Sequence, residues 1–258
     1  MHMLKELCGM REFTHEVNGV EETVTYDSQT INEVLIPLLR RWSELARGLH
    51  RKMVIFLAGP PCAGKSNLAL SLQELSHEES GLVSLIAMSL DGFFYSNDYL
   101  KHHALIRGVE ELRLSQIKGA PETYDLNRLR SKLIELRNKR QVQIPVYSER
   151  DHEVNMSGKV LKDHIVLVEG SYLLLDEPGW RGLSAYCNDS VFLDATPSEL
   201  KSRVLKYESQ HGIAKSQAEI NYTDKYEPNI RRVLSNRLNP AVTLEQSGIN
   251  HLMVRKPA

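Results

Sequence analysis

The sequence predicts an α/β fold of three layers, with a mostly parallel central sheet between helices. Three observations carry that reading. Short, nearly continuous apolar runs recur at VIFLAG (54–59), LVSLIAM (82–88), VQIPVY (142–147), HIVLVEG (164–170), SVFLDA (190–195) and HLMV (251–254), the pattern of strands buried on both faces. Amphipathic stretches of helical period separate them, the alternation of a doubly covered parallel sheet. A glycine-rich segment, AGPPCAGKS (58–66), follows the first run directly.

Each element has a local reason. Residues 13–26 alternate at period two around Asn18-Gly19, a dipeptide that supplies positive φ angles for a tight hairpin. Ser28 and Thr30 offer caps for a helix over 31–49, where Ile31, Val34, Leu35, Leu38, Leu39, Trp42 and Leu45 share one face and Pro37 introduces a bend. Residues 1–50 therefore read as an extension, a hairpin plus a helix, ahead of a main domain over 51–258. Within that domain, Asp125 caps a helix faced by Leu126, Leu129, Leu133 and Leu136. Thr196-Pro197-Ser198-Glu199 is a capping box opening a helix that buries Leu200, Val204 and Tyr207.

Composition narrows the partners. At 258 residues and 41% hydrophobic content the chain can bury a core of ordinary domain size. A formal net charge of -1 gives no footprint for nucleic acid or an anionic membrane, so a small-molecule partner is expected. Cys8, Cys62 and Cys187 are far apart, without the spacing of a disulfide framework or zinc site, which fits a reducing cytoplasm. The charged amino terminus MHMLKELCGMREF lacks a signal-peptide core, and no apolar run reaches membrane-spanning length. The ten histidines form no cluster of metal-ligand spacing, so no structural metal is expected. A homodimer is compatible with these totals.

Gly59, Gly64, Lys65 and Ser66 satisfy G-x-x-x-x-G-K-S, with a strand before and a helix after. This is the phosphate loop of the P-loop NTPase fold: backbone N–H groups of Gly59, Pro60, Pro61, Cys62, Ala63, Gly64, Lys65, Ser66 and Asn67, prolines excepted, surround the phosphates. Lys65 reaches the outer phosphates and Ser66 offers a hydroxyl to Mg²⁺. Cys62 reads as a small residue in a tight turn. An Asn-Lys-x-Asp guanine reader is missing from the sequence, which argues against a GTPase.

Two acids follow strand tips. Asp91, in SLDGFFY (89–95), emerges at the carboxyl edge of the sheet, where it can orient an attacking hydroxyl, accept its proton or help hold magnesium through water. A turn aspartate before glycine has the same appearance. Glu169 closes HIVLVEG, and an acid buried there without a cation would carry a large desolvation cost, which favours a magnesium role.

In order and spacing, GPPCAGKS, LDGFF, KGAPETYD (118–125), IPVYS (144–148) and LVEGSYLLLDEPGW (167–180) resemble the phosphoribulokinase, uridine kinase and bacterial pantothenate kinase superfamily, from about residue 53 to about residue 235. KGAPETYD and PVYS are most similar to the pantothenate kinases, while EGSYLLLDEPGWRGL resembles the nucleoside or sugar kinase-like branch. The resemblance implies ATP-dependent transfer to the alcohol of a nucleoside, sugar or pantothenate-like metabolite. It gives Asp91 the role of catalytic base, Lys65 and Ser66 those of phosphate and Mg²⁺ ligands, and Glu169 that of the magnesium-site acid. Tyr147, with Tyr95, is then expected in the acceptor pocket. The resemblance also implies a short helical lid over ATP near residues 197–225, with Arg203 on it unless that residue is a solvated helix arginine.

Departures bear on the acceptor. Glu149 stands where pantothenate kinases continue PVYS with histidine, and Lys118-Gly119-Ala120 stands where uridine kinases carry a ribose-binding aspartate. Arg150 and His152, just past a strand tip, are candidates for contact with an anionic or polyol acceptor, although SERDHE also reads as a solvated loop. Tyr124 reads as a packing aromatic. Two other activities remain open on the sequence: a nucleotide-dependent regulator that uses the first 50 residues as a contact surface, and a simple ATPase.

Overall fold

The computed structural model describes residues 9–17, 20–108, 110–246 and 251–255. The turn dipeptide Asn18-Gly19 and Cys8 lie outside them. Strands β1 (Met10–Val17) and β2 (Val20–Asp27) pair antiparallel, with Val17 opposite Val20, as the alternation predicts. The next helix opens with a wide π-helical turn, Thr30–Leu35, and continues as α1 (Ile36–Arg47). Pro37 lacks the N–H that would bond one turn back, which accounts for the change of winding. Neither expected cap acts there. The Thr30 N–H donates to Asp27 Oδ1 at 2.6 Å, because the hairpin ends on that aspartate; the Ser28 hydroxyl donates to the Gly9 carbonyl (2.8 Å), and Thr30 Oγ1 accepts from the Leu252 N–H (2.9 Å). Leu45 is exposed, and Ala46 takes its place in the core beside Trp42.

The main chain then runs through β3 (Met53–Ala58), α2 (Lys65–Glu78), β4 (Leu85–Ser89), α3 (Asn97–His102), β5 (Ala104–Arg107), β6 (Glu110–Arg113), α4 (Leu126–Asn138), β7 (Val142–Ser148) and β8 (Glu153–Leu161). It continues with β9 (Ile165–Glu169), β10 (Asp189–Asp194), α5 (Pro197–Gln210), α6 (Lys215–Asn221), α7 (Glu227–Ser235), β11 (Val242–Gln246) and β12 (Leu252–Val254). Six strands form the central sheet in the order β4-β9-β3-β10-β11-β12, every pair parallel except β11 with β12.

Alternate residues of β3 enter opposite cores. Met53, Ile55 and Leu57 pack with α1, α2, α5 and the hairpin residues Phe13 and Tyr26, while Val54, Phe56 and Ala58 pack with Leu129 and Leu133 of α4 and Ile144 of β7. This two-sided burial explains the continuous apolar runs. Among the described residues no helix is long and apolar enough to cross a membrane.

One strand is not where the sequence put it. VQIPVY does not join the central sheet; β7 forms a separate antiparallel pair with β8, with a register shift between Ile144 and Val146. Pro145 has no N–H for a second neighbour, and Gln143 and Val146 are exposed, so the segment is half-buried rather than two-sided. The expected caps of α4 and α5 are present: Asp125 Oδ1 accepts from the Arg128 N–H at 3.0 Å, and Thr196 and Glu199 form the reciprocal box.

Helix α1 is tied to the sheet by one buried acid. Asp189, at the start of β10, accepts from Trp42 Nε1 (2.8 Å) and from Arg41 Nη2 (3.0 Å). Asp189→Ala leaves the buried indole N–H unsatisfied and is expected to cost about 2–4 kcal/mol, read as a lower urea midpoint at unchanged slope.

Candidate active site

The phosphate loop is built by backbone constraints. A side chain at Gly59 would place its Cβ 2.4 Å from the Leu193 carbonyl of β10, so only glycine lets β3 turn out beside that strand. Cys62 and Gly64 both take left-handed conformations, with φ of 61° and 95°, which point successive N–H groups into one concavity. Gly64 caps α2 without a side chain, leaving the first-turn N–H groups to face an anion. Burial pushes the Cys62 thiol up to about 11, so it is no reactive thiolate. The buried Lys65 ammonium folds back on the loop, donating to the Pro60 carbonyl (2.9 Å) and to Ser171 Oγ (3.2 Å). Burial lowers its pKa, against the charges of Glu169, Cys62 and Asp91.

Sheet register brings the two acids to this loop. Glu169, the last residue of β9, lies opposite Leu57 of β3 on one side and Ser89 of β4 on the other. It shares a face with Ile165 and Leu167, the face that packs against α2, and there its Oε1 accepts from the Ser66 hydroxyl at 3.2 Å. Asp91 follows β4 in a 3₁₀ turn, Leu90–Phe93. Two glycines let that turn close in: a Cβ at Gly170 would meet Leu90 Cβ at 2.4 Å, and one at Gly92 would meet the Pro145 carbonyl at 2.3 Å. The glycines of the EG and DG pairs are therefore packing requirements.

Asp91 Oδ1 accepts from the Tyr124 hydroxyl at 3.0 Å. Burial raises the Asp91 pKa, opposed by that hydrogen bond and by Lys65 and Lys118. Glu169 is raised by burial and by the charge of Asp91, against Lys65 and hydrogen bonds from Ser89 and Ser66. One hydroxyl and one carboxylate at 3.2 Å, with a second carboxylate in the same field, form a hard oxygen set suited to Mg²⁺, which takes one or two protein ligands and completes its shell with phosphate oxygens and water. Among the described residues no group of three or more His, Cys, Asp or Glu converges as an all-protein metal cage would.

Residues 54–210 match the model of the Phosphoribulokinase / Uridine kinase family. The chain belongs to that family. Its relatives include the uncharacterized protein YggC of Escherichia coli (strain K12), 30% identical over 91% of this chain and 96% of that one. A pantothenate kinase of Bradyrhizobium is 30% identical over 70% of this chain but 62% of its own length, so the chain spans less than two thirds of that relative. Among solved structures, a protein of Silicibacter sp. TM1040, provisionally assigned as a fructose transport system kinase, superposes with a TM-score of 0.72 at 25% identity, covering 81% of this chain and 98% of that one. YFH7 of Saccharomyces cerevisiae, with a TM-score of 0.67 at 12% identity over 83% of this chain and 99% of its own, shares the fold.

In this kinase-family fold the sequence-predicted residues divide into those that converge and those that do not. Lys65, Ser66, Asp91 and Glu169 converge. Tyr147 lies beside them: its ring contacts Phe94 edge-on (5.4 Å between centroids), and Lys118 Nζ sits 4.8 Å from its centroid. Arg203 reaches the phosphate loop rather than solvent, donating to the Ala63 carbonyl (3.0 Å) and to Gln246. Asn67 is turned toward the amino-terminal hairpin, donating to Glu22 Oε2 at 2.5 Å. Tyr95 stacks on Tyr99 at 4.2 Å and helps line a cavity of about 360 Å³ with Tyr124, Trp180 and Arg232. Arg150 is exposed on the β7–β8 turn.

Tyr124 is more than the packing aromatic expected. It stacks on Phe94 and also holds Asp91, and the sequence signal available was its place in KGAPETYD. Lys118, Glu149 and Ser171 were likewise not assigned to the site from sequence, and all three carry charge or hydrogen bonds into it.

Both site acids are raised, so in the ligand-free protein the folded chain binds more protons than the unfolded chain above the ordinary carboxylate range. Stability must fall as pH climbs through that window toward the raised values. Asp91→Asn and Glu169→Gln, which remove the charge and keep the shape, are expected to raise ligand-free stability at neutral pH by about 1 kcal/mol, with a smaller gain in acid; urea titration across pH checks this.

Proposed function

We propose that the chain is an ATP-dependent kinase that transfers the γ-phosphoryl group to an alcohol of a small molecule. The observation that carries the reading is the β4-β9-β3 register, which sets Glu169 against Ser66 of the phosphate loop and brings Asp91 alongside, held by Tyr124. The family match and its kinase relatives support it.

In this mechanism the loop N–H groups and the α2 terminus hold the phosphate chain, and Lys65 turns from Pro60 and Ser171 to the outer phosphates. Ser66 and Glu169 would hold Mg²⁺, which supplies charge neutralisation for the transferring group. Asp91 orients the acceptor hydroxyl and takes its proton as the new O–P bond forms and ADP leaves. A raised carboxylate pKa suits a proton acceptor, and the Tyr124 hydrogen bond fixes its direction. Arg203, on the helical segment 197–225 that serves as the lid, spreads charge from the phosphoryl group. Closure of that segment excludes water.

The test is ADP release across a panel of nucleosides, sugars, polyols and pantothenate. One acceptor class is expected to raise it sharply. Asp91→Ala is expected to reduce that rise by about 10²–10⁴-fold while ATP still shifts the melting temperature, whereas Lys65→Met weakens the ATP shift itself. Flat ADP release across the panel overturns the kinase in favour of a nucleotide-dependent regulator, and acceptor-independent release points to a simple ATPase.

A further inference from the structure

The acceptor side of the site carries Asp91 and Glu149, and the lysine beside them, Lys118, is engaged. Strand β7 lies directly on the turn that bears Asp91, since a Cβ at Gly92 would press on the Pro145 carbonyl at 2.3 Å. That strand delivers Tyr147 and then, on the turn to β8, Glu149. The Glu149 carboxylate pairs with the exposed His152 at 3.4 Å. Its pKa is raised by burial and then by the charge of Asp91, with His152, His211 at the end of α5, and Lys118 opposing, which sets it in the same field as the reacting carboxylate. Tyr207 of α5 is raised by burial and by the charge of Glu149.

Lys118 does not offset the two acids freely. Its ammonium already donates to Asn97 Oδ1 (2.8 Å) and to the His152 carbonyl (2.8 Å), and it lies against the Tyr147 ring. The remaining nearby acid, Glu153, accepts from the Asn97 N–H (2.9 Å) and the Val154 N–H (2.9 Å) and is used up in holding the β8 entry. An anionic acceptor would therefore meet the carboxylates of Asp91 and Glu149 beside Lys118, whose donors are largely spent, while Lys225, whose charge lowers the Lys118 pKa, lies against the Tyr226 ring. A hydroxyl-rich or amine-bearing acceptor would supply the donors that two carboxylates need, in charge-assisted hydrogen bonds.

We infer that the phosphate acceptor is an alcohol bearing no anionic group, a neutral polyol or an amino alcohol, and that Glu149 accepts a hydrogen bond from one of its non-reacting hydroxyl or amine groups. This rests on the kinase reading above and narrows its substrate class. Glu149 is thereby a specificity residue: a site built around an acceptor oxygen discriminates against partners that bring no donor to it. It also repels partners that bring a negative charge.

The experiment is ADP release with two arms of acceptors, one of neutral sugars, nucleosides, alditols and amino alcohols, the other of pantothenate, glycerate and sugar phosphates. The wild-type chain is expected to take its best acceptor from the first arm. Glu149→Gln is expected to raise the KM for that acceptor about 10- to 100-fold with the KM for ATP unchanged, and Glu149→His to narrow the gap between the arms. ATP-induced thermal stabilisation of both variants checks that they fold. A best acceptor from the anionic arm, or an acceptor KM that Glu149→Gln leaves unmoved, overturns the inference and leaves the kinase standing. No response in either arm overturns the kinase reading, and this inference with it.

Discussion

The site depends on holding two carboxylates and an ammonium at the ends of adjacent parallel strands with little water around them. Glu169 sits between the strand that feeds the phosphate loop and the strand that feeds Asp91, and register alone decides which way it points. A slip of one residue along β9 would turn it to the opposite face, away from Ser66 and α2. Such a slip would also exchange Ile165 and Leu167 with the smaller Val166 and Val168 between two close-packed cores, which opposes it. The charges are a cost to the ligand-free fold, visible in the raised pKa values of both acids and the lowered one of Lys65. The cores on both faces of the sheet carry that cost and fix the strand ends that bear the two carboxylates.

The amino-terminal hairpin belongs to the same physical unit as the loop. Its polar contacts with α2, Arg11 with Glu74 and Glu78 and His15 with Ser71, are partly exposed and individually weak. Its anchorage comes instead from Phe13 and Tyr26, which are 1% and 6% exposed and lie in the core that also contains Leu68 and Leu72 of α2. Thr30 adds a second tie through the Leu252 N–H of β12. The helix that opens the phosphate loop is thus packed against the sheet on one side and the hairpin on another. Glu22 reaches Asn67 in its first turn, so the extension bears on the loop through one short hydrogen bond.

What could be read from the sequence was what depends on neighbours in the chain. The strand-glycine-helix order of the phosphate loop, the Asp125 cap and the Thr196–Glu199 box are short-range devices, and the structure contains each of them. Two-sided strands were legible because β3 and β9 bury every residue. VQIPVY failed the same reading because apolar letters do not say whether a residue is covered: Val146 is exposed, and Pro145 cannot serve a second strand. VTLEQ of β11 escaped because its polar letters hide a strand whose neighbours lie on one side only for half its length.

The remainder of the site was illegible for a geometric reason. Tyr124 and Asp91 are 33 positions apart, and nothing in either segment encodes that the β7 backbone and the Gly92 turn press together and leave the phenol hydroxyl aimed at the carboxylate. The same holds at the acceptor side. From the letters SERDHE, a cation such as Arg150 is as good a candidate as its neighbour, since adjacent residues on a turn point different ways. The fold decides between them: Arg150 is exposed, while Glu149 is partly buried and lies in the field of Asp91. A device that resides in one segment is written in that segment, whereas this cluster arises where segments meet, and a single residue of offset there reverses the sign of the charge that shares the field of Asp91.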